Sequence, residues 1–165
     1  MAQNTFLSDD YLKALGAVTV HWATLEGALD FLAIITFAEY GKHPKHGELP
    51  RSTKRKIGYI RDYAALPSLA EWKDKLLELA TRVTELKEQR HDAVHGCVME
   101  SVEGSAKVLR LLHRATKHEY TDRHFTAEEL WELAACIAIN ASAALDLTTR
   151  LIDAVDERGD QTPGE

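Results

Sequence analysis

The sequence predicts a single all-α domain, an antiparallel four-helix bundle with an extra short helix and a β-hairpin inserted before the last helix. Three observations lead there. Apolar residues recur at the 3-4 spacing of a buried helix face along the long stretches of the chain. Helix-start signals stand before them at Ser8-Asp9-Asp10, Ser68-Leu69-Ala70-Glu71 and Thr126-Ala127-Glu128-Glu129. Only after Gly96 does the pattern turn to Val- and Leu-rich runs of strand length.

Met1 to Leu7 is expected to be a loose lead-in, with Ser8 capping the first helix. Leu15, Val18, Trp22, Leu25, Leu29 and Leu32 form its stripe to about Tyr40, where Gly41 and then Pro44 end it. Gly41 to Pro50 reads as a loop carrying His43 and His46, a pair able to bind metal but more ordinary as solvent-exposed loop histidines. A short helix from about Thr53 to Ala65, capped by Ser52 or Thr53, turns Ile57 and Ile60 inward and its basic residues outward. The box Ser68 to Glu71 is expected to open a central helix of about seven turns, ending at His95. Cys97 to Glu103 and Lys107 to Leu112 read as a hairpin turning at Gly104. His113 to His124 is irregular and polar, at most a third short strand. The last helix runs from the Thr126 box to about Val155 and buries Leu130, Leu133, Ile137, Ala141, Ala144, Leu147 and Leu151. Residues 1–155 thus make one domain, and 156–165 a polar, disordered tail.

The chain has 165 residues, 45% hydrophobic and 28% charged, which suits one domain with a sizeable core. The apolar stretches are interrupted by His21, Glu26, Asp30 and Asn140, so no membrane span is expected, and no signal peptide; the expected location is the cytoplasm. Cys97 and Cys136 lack metal-type spacing and read as free thiols. A net charge of -6 argues against a protein that coats nucleic acid through many basic contacts. Charge is unevenly spread, however. Between Lys42 and Arg61 seven basic residues, Lys54, Arg55 and Lys56 among them, face Glu48 alone. That is either a patch for selective RNA contact or a solvated helix face.

The central helix carries an anomaly. Its two seams read Leu69, Leu76, Val83, Arg90 and Trp72, Leu79, Leu86, Ala93, so Arg90 stands where an apolar residue belongs. A guanidinium in that position must be paired, hydrated in a cleft or bound to an anion, unless it snorkels out of the bundle end. His95 lies about 140° further round an ideal helix, so a straight helix does not stack the two side chains. A break at Gly96, or a second subunit across a two-fold axis, is needed to join them. His91 and His95, at i and i+4, do share a face.

Arg90, four intervening residues and His95, with the polar His91 directly after the arginine, resemble the signature of the HEPN superfamily of helical domains. Trp22, Leu25 and Glu26 resemble a W-x-x-L-E pattern of first helices in small bacterial proteins of that sort. The motif is matched closely over six residues and the architecture loosely. The resemblance implies a metal-independent endoribonuclease working as a homodimer, as a toxin or defence component, with Arg90 and His95 in a composite cleft and no cofactor. His95 would act as acid or base and Arg90 as phosphate ligand, leaving a 2',3'-cyclic phosphate and a 5'-hydroxyl. RNA and an antitoxin or other protein are the implied partners. Glu26, flanking the first-helix stripe, would support the Arg90 cleft with His91 and Asp92, or else face solvent.

Two other readings use the same residues. His91-Asp92-Ala93-Val94-His95 has the spacing of H-E-x-x-H, so the histidines could hold zinc, with His113, His118 or His124 as a third ligand. Asp92 weakens that reading, being one methylene shorter than the usual glutamate base. The last is a non-catalytic scaffold or binding module in which Arg90 bridges to Glu26 or to a backbone carbonyl.

Overall fold

The computed structural model describes residues 7–41, 43–102, 104–114 and 117–159. Four α-helices and three strands follow one another: α1 (Asp9–Glu39), α2 (Thr53–Tyr63), a 3-10 segment (Pro67–Trp72), α3 (Lys73–His95), β1 (Cys97–Val102), β2 (Ser105–Arg114), β3 (Lys117–Thr126) and α4 (Ala127–Gly159). This corrects the expected four-helix bundle with a hairpin. The chain is mostly helical, but among the described residues only α1, α3 and α4 are long, α2 is short, and the insertion is a three-stranded antiparallel sheet in the order β1-β2-β3. The third strand, expected at most as a short one within the polar run His113 to His124, spans Lys117–Thr126; from Tyr120 to Thr126 Phe125 is its only buried side chain, so no apolar alternation marks it.

Two compact units divide the chain, one of residues 1–23 and 85–138, the other of 24–84 and 139–165. In the first unit, the start of α1 buries Tyr11, Ala14, Val18 and Trp22, and the start of α4 buries Leu130, Leu133, Ala134 and Ile137. Ser8 accepts the Tyr11 amide at 3.2 Å, and the Thr126 box closes reciprocally. There Thr126 N–H reaches Glu129 at 2.7 Å, and Glu129 N–H reaches the Thr126 hydroxyl at 3.1 Å. The Trp131 indole donates to Asp10 at 3.3 Å. In the sheet, Val98 pairs with Val108 and Arg123 with Val108 on the other side, while Ala106 faces Phe125. Opposed residues share a face, so Ala106, Val108 and Phe125 form its buried side. Gly104 makes the β1–β2 turn at φ 78, a conformation that favours glycine.

In the second unit, Leu25, Leu29 and Leu32 of α1, Ile57 and Ile60 of α2, Leu76, Leu79 and Val83 of α3, and Leu147 and Leu151 of α4 are buried. Buried hydroxyls find backbone acceptors, as they must away from water. Tyr59 donates to the Ala33 carbonyl at 3.1 Å and Tyr40 to that of Leu151 at 3.0 Å. Burial pushes the Tyr59 hydroxyl well above the usual tyrosine pKa.

Three further expectations are corrected. The Ser68 box does not open the central helix: Pro67 to Trp72 forms a 3-10 segment with Leu69 at non-helical φ/ψ, and α3 starts at Lys73. Leu69 is still fully buried, so its place in the apolar seam was right while the helix start was not. The basic residues of α2 do not all face outward, since Lys56 is 5% exposed and pairs with Asp30 at 2.7 Å. The last helix runs to Gly159, and only residues 160–165 of the expected tail, with 1–6 of the lead-in, lie outside the described residues. By length and composition α1 and α4 are also each long and apolar enough to cross a membrane, although core helices pass the same test.

Candidate functional site

The anomalous residues meet in the first unit, where the last turns of α3 lie under the sheet. Gly96 sets the closeness of that approach. A Cβ there would fall 1.9 Å from the Val108 Cγ1 atom and 2.9 Å from the Asp92 carbonyl oxygen, so only glycine lets β2 pass this near. Two residues beyond Val108 on the same strand face, Arg110 reaches down to α3. Its Nη1 pairs closely with Asp92 Oδ1 and lies 3.7 Å from Glu88 Oε2. Arg123, opposite Val108 on β3, brings its own Nη1 within 3.3 Å of Asp92 Oδ2.

Arg90 and His95 meet within one chain. The Arg90 Nη1 atom is 2.8 Å from His95 Nε2. A guanidinium can only donate, so Nε2 is the acceptor in this contact. Helix α3 continues through His95, and the long arginine side chain spans the angular gap that a short one would leave open. The guanidinium carbon also lies 5.6 Å from the centre of the Trp22 ring, within cation–π range. Arg90 Nε is buried and has no hydrogen-bond partner.

His91 leans on His95 with ring centres 4.6 Å apart at 56°. Burial holds the His91 pKa below the ordinary histidine value, with the nearby charges of Arg110 and His95 adding to the effect. Glu88 is held below the usual carboxylate range, chiefly by the Lys87 ammonium at 2.6 Å. Three arginines, Arg90, Arg110 and Arg123, face two carboxylates, Glu88 and Asp92, so the cluster keeps a positive excess.

The structure therefore brings together Arg90, His91, Asp92 and His95, and adds Arg110, Arg123, Glu88 and Trp22. Arg110 was detectable in principle, as a charge on the strand face shared with Ala106 and Val108. The other expected residues belong to the second unit. Glu26 accepts from the Thr53 hydroxyl, and its backbone carbonyl takes the Lys56 ammonium at 3.3 Å. Lys54 and Arg55 are exposed, and Lys56 is committed to Asp30.

Of the residues of the metal reading, the side chains of His113 and His118 lie outside those the structure describes, and the others are engaged or placed elsewhere. His95 Nε2 is occupied by Arg90, Asp92 is held by two arginines, and His124 lies on the opposite strand face from Arg123. Among the described residues no group of three or more His, Cys, Asp or Glu side chains is placed to hold a metal ion. The loop histidines of the second unit border a cleft of about 350 Å³ through His46, whose Nε2 is 2.9 Å from Asp62. Lys45 takes the other Asp62 oxygen at 3.0 Å and is the main cause of that carboxyl's lowered pKa, so both Asp62 oxygens are engaged; Glu48 also lines the cleft. No known family model, curated protein or solved structure matches the chain.

Proposed function

We propose that the chain is a HEPN-like, metal-independent endoribonuclease of the cytoplasm, working as a two-fold homodimer with Arg90 and His95 as its reacting groups. The observation that carries this reading is the state of Arg90. Its Nη1 is committed to His95 Nε2 at 2.8 Å while its buried Nε, among the described residues, lacks an acceptor that a guanidinium inside a fold calls for. A buried donor without a partner costs about 1–3 kcal/mol, and a phosphate oxygen would remove that cost.

In this reading the phosphate draws the guanidinium from His95 and frees Nε2 to act as base. The 2'-hydroxyl gives its proton to His95 and its oxygen attacks the adjacent phosphorus. The O2'–P bond forms as the P–O5' bond breaks, and the departing 5'-oxygen takes up a proton, which balances the one lost. The products are a 2',3'-cyclic phosphate and a 5'-hydroxyl. Arg90 carries the charge that builds on the non-bridging oxygens. Toxin or defence activity, with an antitoxin or other protein as partner, fits an enzyme that cuts RNA.

A second reading is a non-catalytic dimeric scaffold or binding module. It is favoured by the packing of Arg90 on the buried Trp22, which a purely structural arginine would also show. Wild type and the His95→Ala and Arg90→Ala variants incubated with mixed RNA pools in EDTA separate the two. The ribonuclease reading expects 2',3'-cyclic phosphate ends from wild type alone, with cleavage by either variant reduced by at least about a thousandfold. Inert wild type on every pool, or undiminished cleavage in both variants, would leave the scaffold reading in its place.

A further inference from the structure

We propose that Arg123 is a second phosphate ligand, gripping the RNA backbone next to the scissile phosphate; this rests on the ribonuclease reading above. Two arginines reach Asp92, and their situations differ. The Arg110 side chain is 17% exposed, pairs with Oδ1 and also faces Glu88, so it is the resident counter-ion of Asp92. The Arg123 side chain is 50% exposed and meets Asp92 only through Nη1, at 3.3 Å. Its other contact is the Phe125 ring, 5.9 Å from the guanidinium carbon. Among the described residues the Nε and Nη2 donors of Arg123 make no hydrogen bond, which leaves them for a further acceptor.

Position makes that acceptor a neighbour of the reacting groups. Asp92 and His95 are at i and i+3 on one helix face, with Cβ atoms about 5–6 Å apart, and Arg123 stands beside Asp92. An RNA strand whose phosphate lies on Arg90 and His95 can carry a neighbouring phosphate past this side of the helix end, where Arg123 stands. The Phe125 ring limits the swing of the guanidinium without using its donors. Because Arg110 already compensates Asp92, the Arg123 charge is only partly cancelled. An exposed ion pair through one nitrogen stabilises little, so exchanging it for bidentate phosphate contact is favourable. The second arginine thus contributes affinity, whereas Arg110 holds the sheet on the helix.

The test uses the full chain carrying His95→Ala, which removes turnover, and a labelled single-stranded RNA bound in EDTA over a range of salt. Each phosphate neutralised on a single strand contributes about 0.7 to the slope of log K against log salt. Adding Arg123→Ala is expected to lower the slope by that amount, about 0.7, and to weaken binding about three- to tenfold for all sequences alike. Arg123→Lys should keep the slope. With His95 in place, Arg123→Ala should raise KM by a similar factor while kcat falls less than about twofold. An unchanged slope, or a loss confined to kcat, overturns the role of Arg123 and leaves Arg90 and His95 untouched. Failure of the unsubstituted chain to bind or cut RNA removes the ribonuclease reading itself, and this inference with it.

Discussion

A permanent charge in an apolar seam has to be answered within a few ångströms, and at Arg90 the answers are a histidine acceptor and an indole face. Lysine cannot reproduce either the fork or the flat stacking, so Arg90→Lys should recover little of the activity that Arg90→Ala loses. End-group analysis of cleaved RNA is the measurement. Asp92 is the second test at this scale. Asp92→Asn takes the negative charge from between Arg110 and Arg123 and should lower stability by about 1–3 kcal/mol, read as a shift in urea midpoint. His91 makes a pH prediction. Its folded pKa is depressed by burial, then by Arg110 and His95, with Glu88 opposing the shift. The unfolded chain therefore takes up the proton first, from about pH 6.5 downward, and stability falls with pH from there to the lower folded value. His91→Gln removes that contribution. Urea titrations at pH 7.5 and 5.5 should show a smaller pH loss for the variant than for wild type.

The elements owe their ends to short local signals, and those signals differ in force. The Thr126–Glu129 box satisfies two amides at once where β3 passes into α4, so Thr126→Ala should cost about 1 kcal/mol. The similar Ser68–Glu71 string forms no such cap, because Pro67 enters a 3-10 segment and Leu69 leaves helical φ/ψ to reach the core. The junction of α3 and β2 is the most demanding. Gly96→Ala must push Val108 away or bend the helix end, and should destabilise by about 1–3 kcal/mol or more. It should also disturb the Arg110–Asp92 pairing, since Arg110 is placed by the strand that Val108 anchors. Thermal unfolding of Gly96→Ala beside Gly58→Ala, whose added methyl would meet open space, separates this clash from ordinary glycine replacement.

At the scale of the whole molecule, the net charge of -6 and the local positive excess around Arg90 act together. RNA should be held at the cluster and repelled elsewhere, so affinity should fall steeply with salt while non-specific coating stays weak. The proposed homodimer is tested by sedimentation equilibrium at micromolar concentration, where twice the chain mass is expected. A strict monomer would exclude a composite two-fold cleft. It would leave the Arg90–His95 contact, which forms within one chain, as the entire reacting centre.

Periodicity was enough to predict the three long helices, because a buried helix face repeats in the residues themselves, although the cap signal at Ser68 misplaced the start of one. Leu130, Leu133, Ile137, Ala141, Ala144, Leu147 and Leu151 are all buried as their spacing requires. Arg90 was legible for the same reason, as the break in such a repeat, and His95 through its distance from it. The three-stranded sheet was not, since its third strand, β3, is built mostly of polar residues that look like a loop. Nor could spacing alone show that Arg90 reaches His95 without a partner: side-chain length and the path past Trp22 decide that, and both are three-dimensional. Arg110 and Arg123 lie 18 and more residues from Asp92, and strand register brings them to it. Their charges repeat nothing along the chain, so only the folded sheet could place them over the helix end.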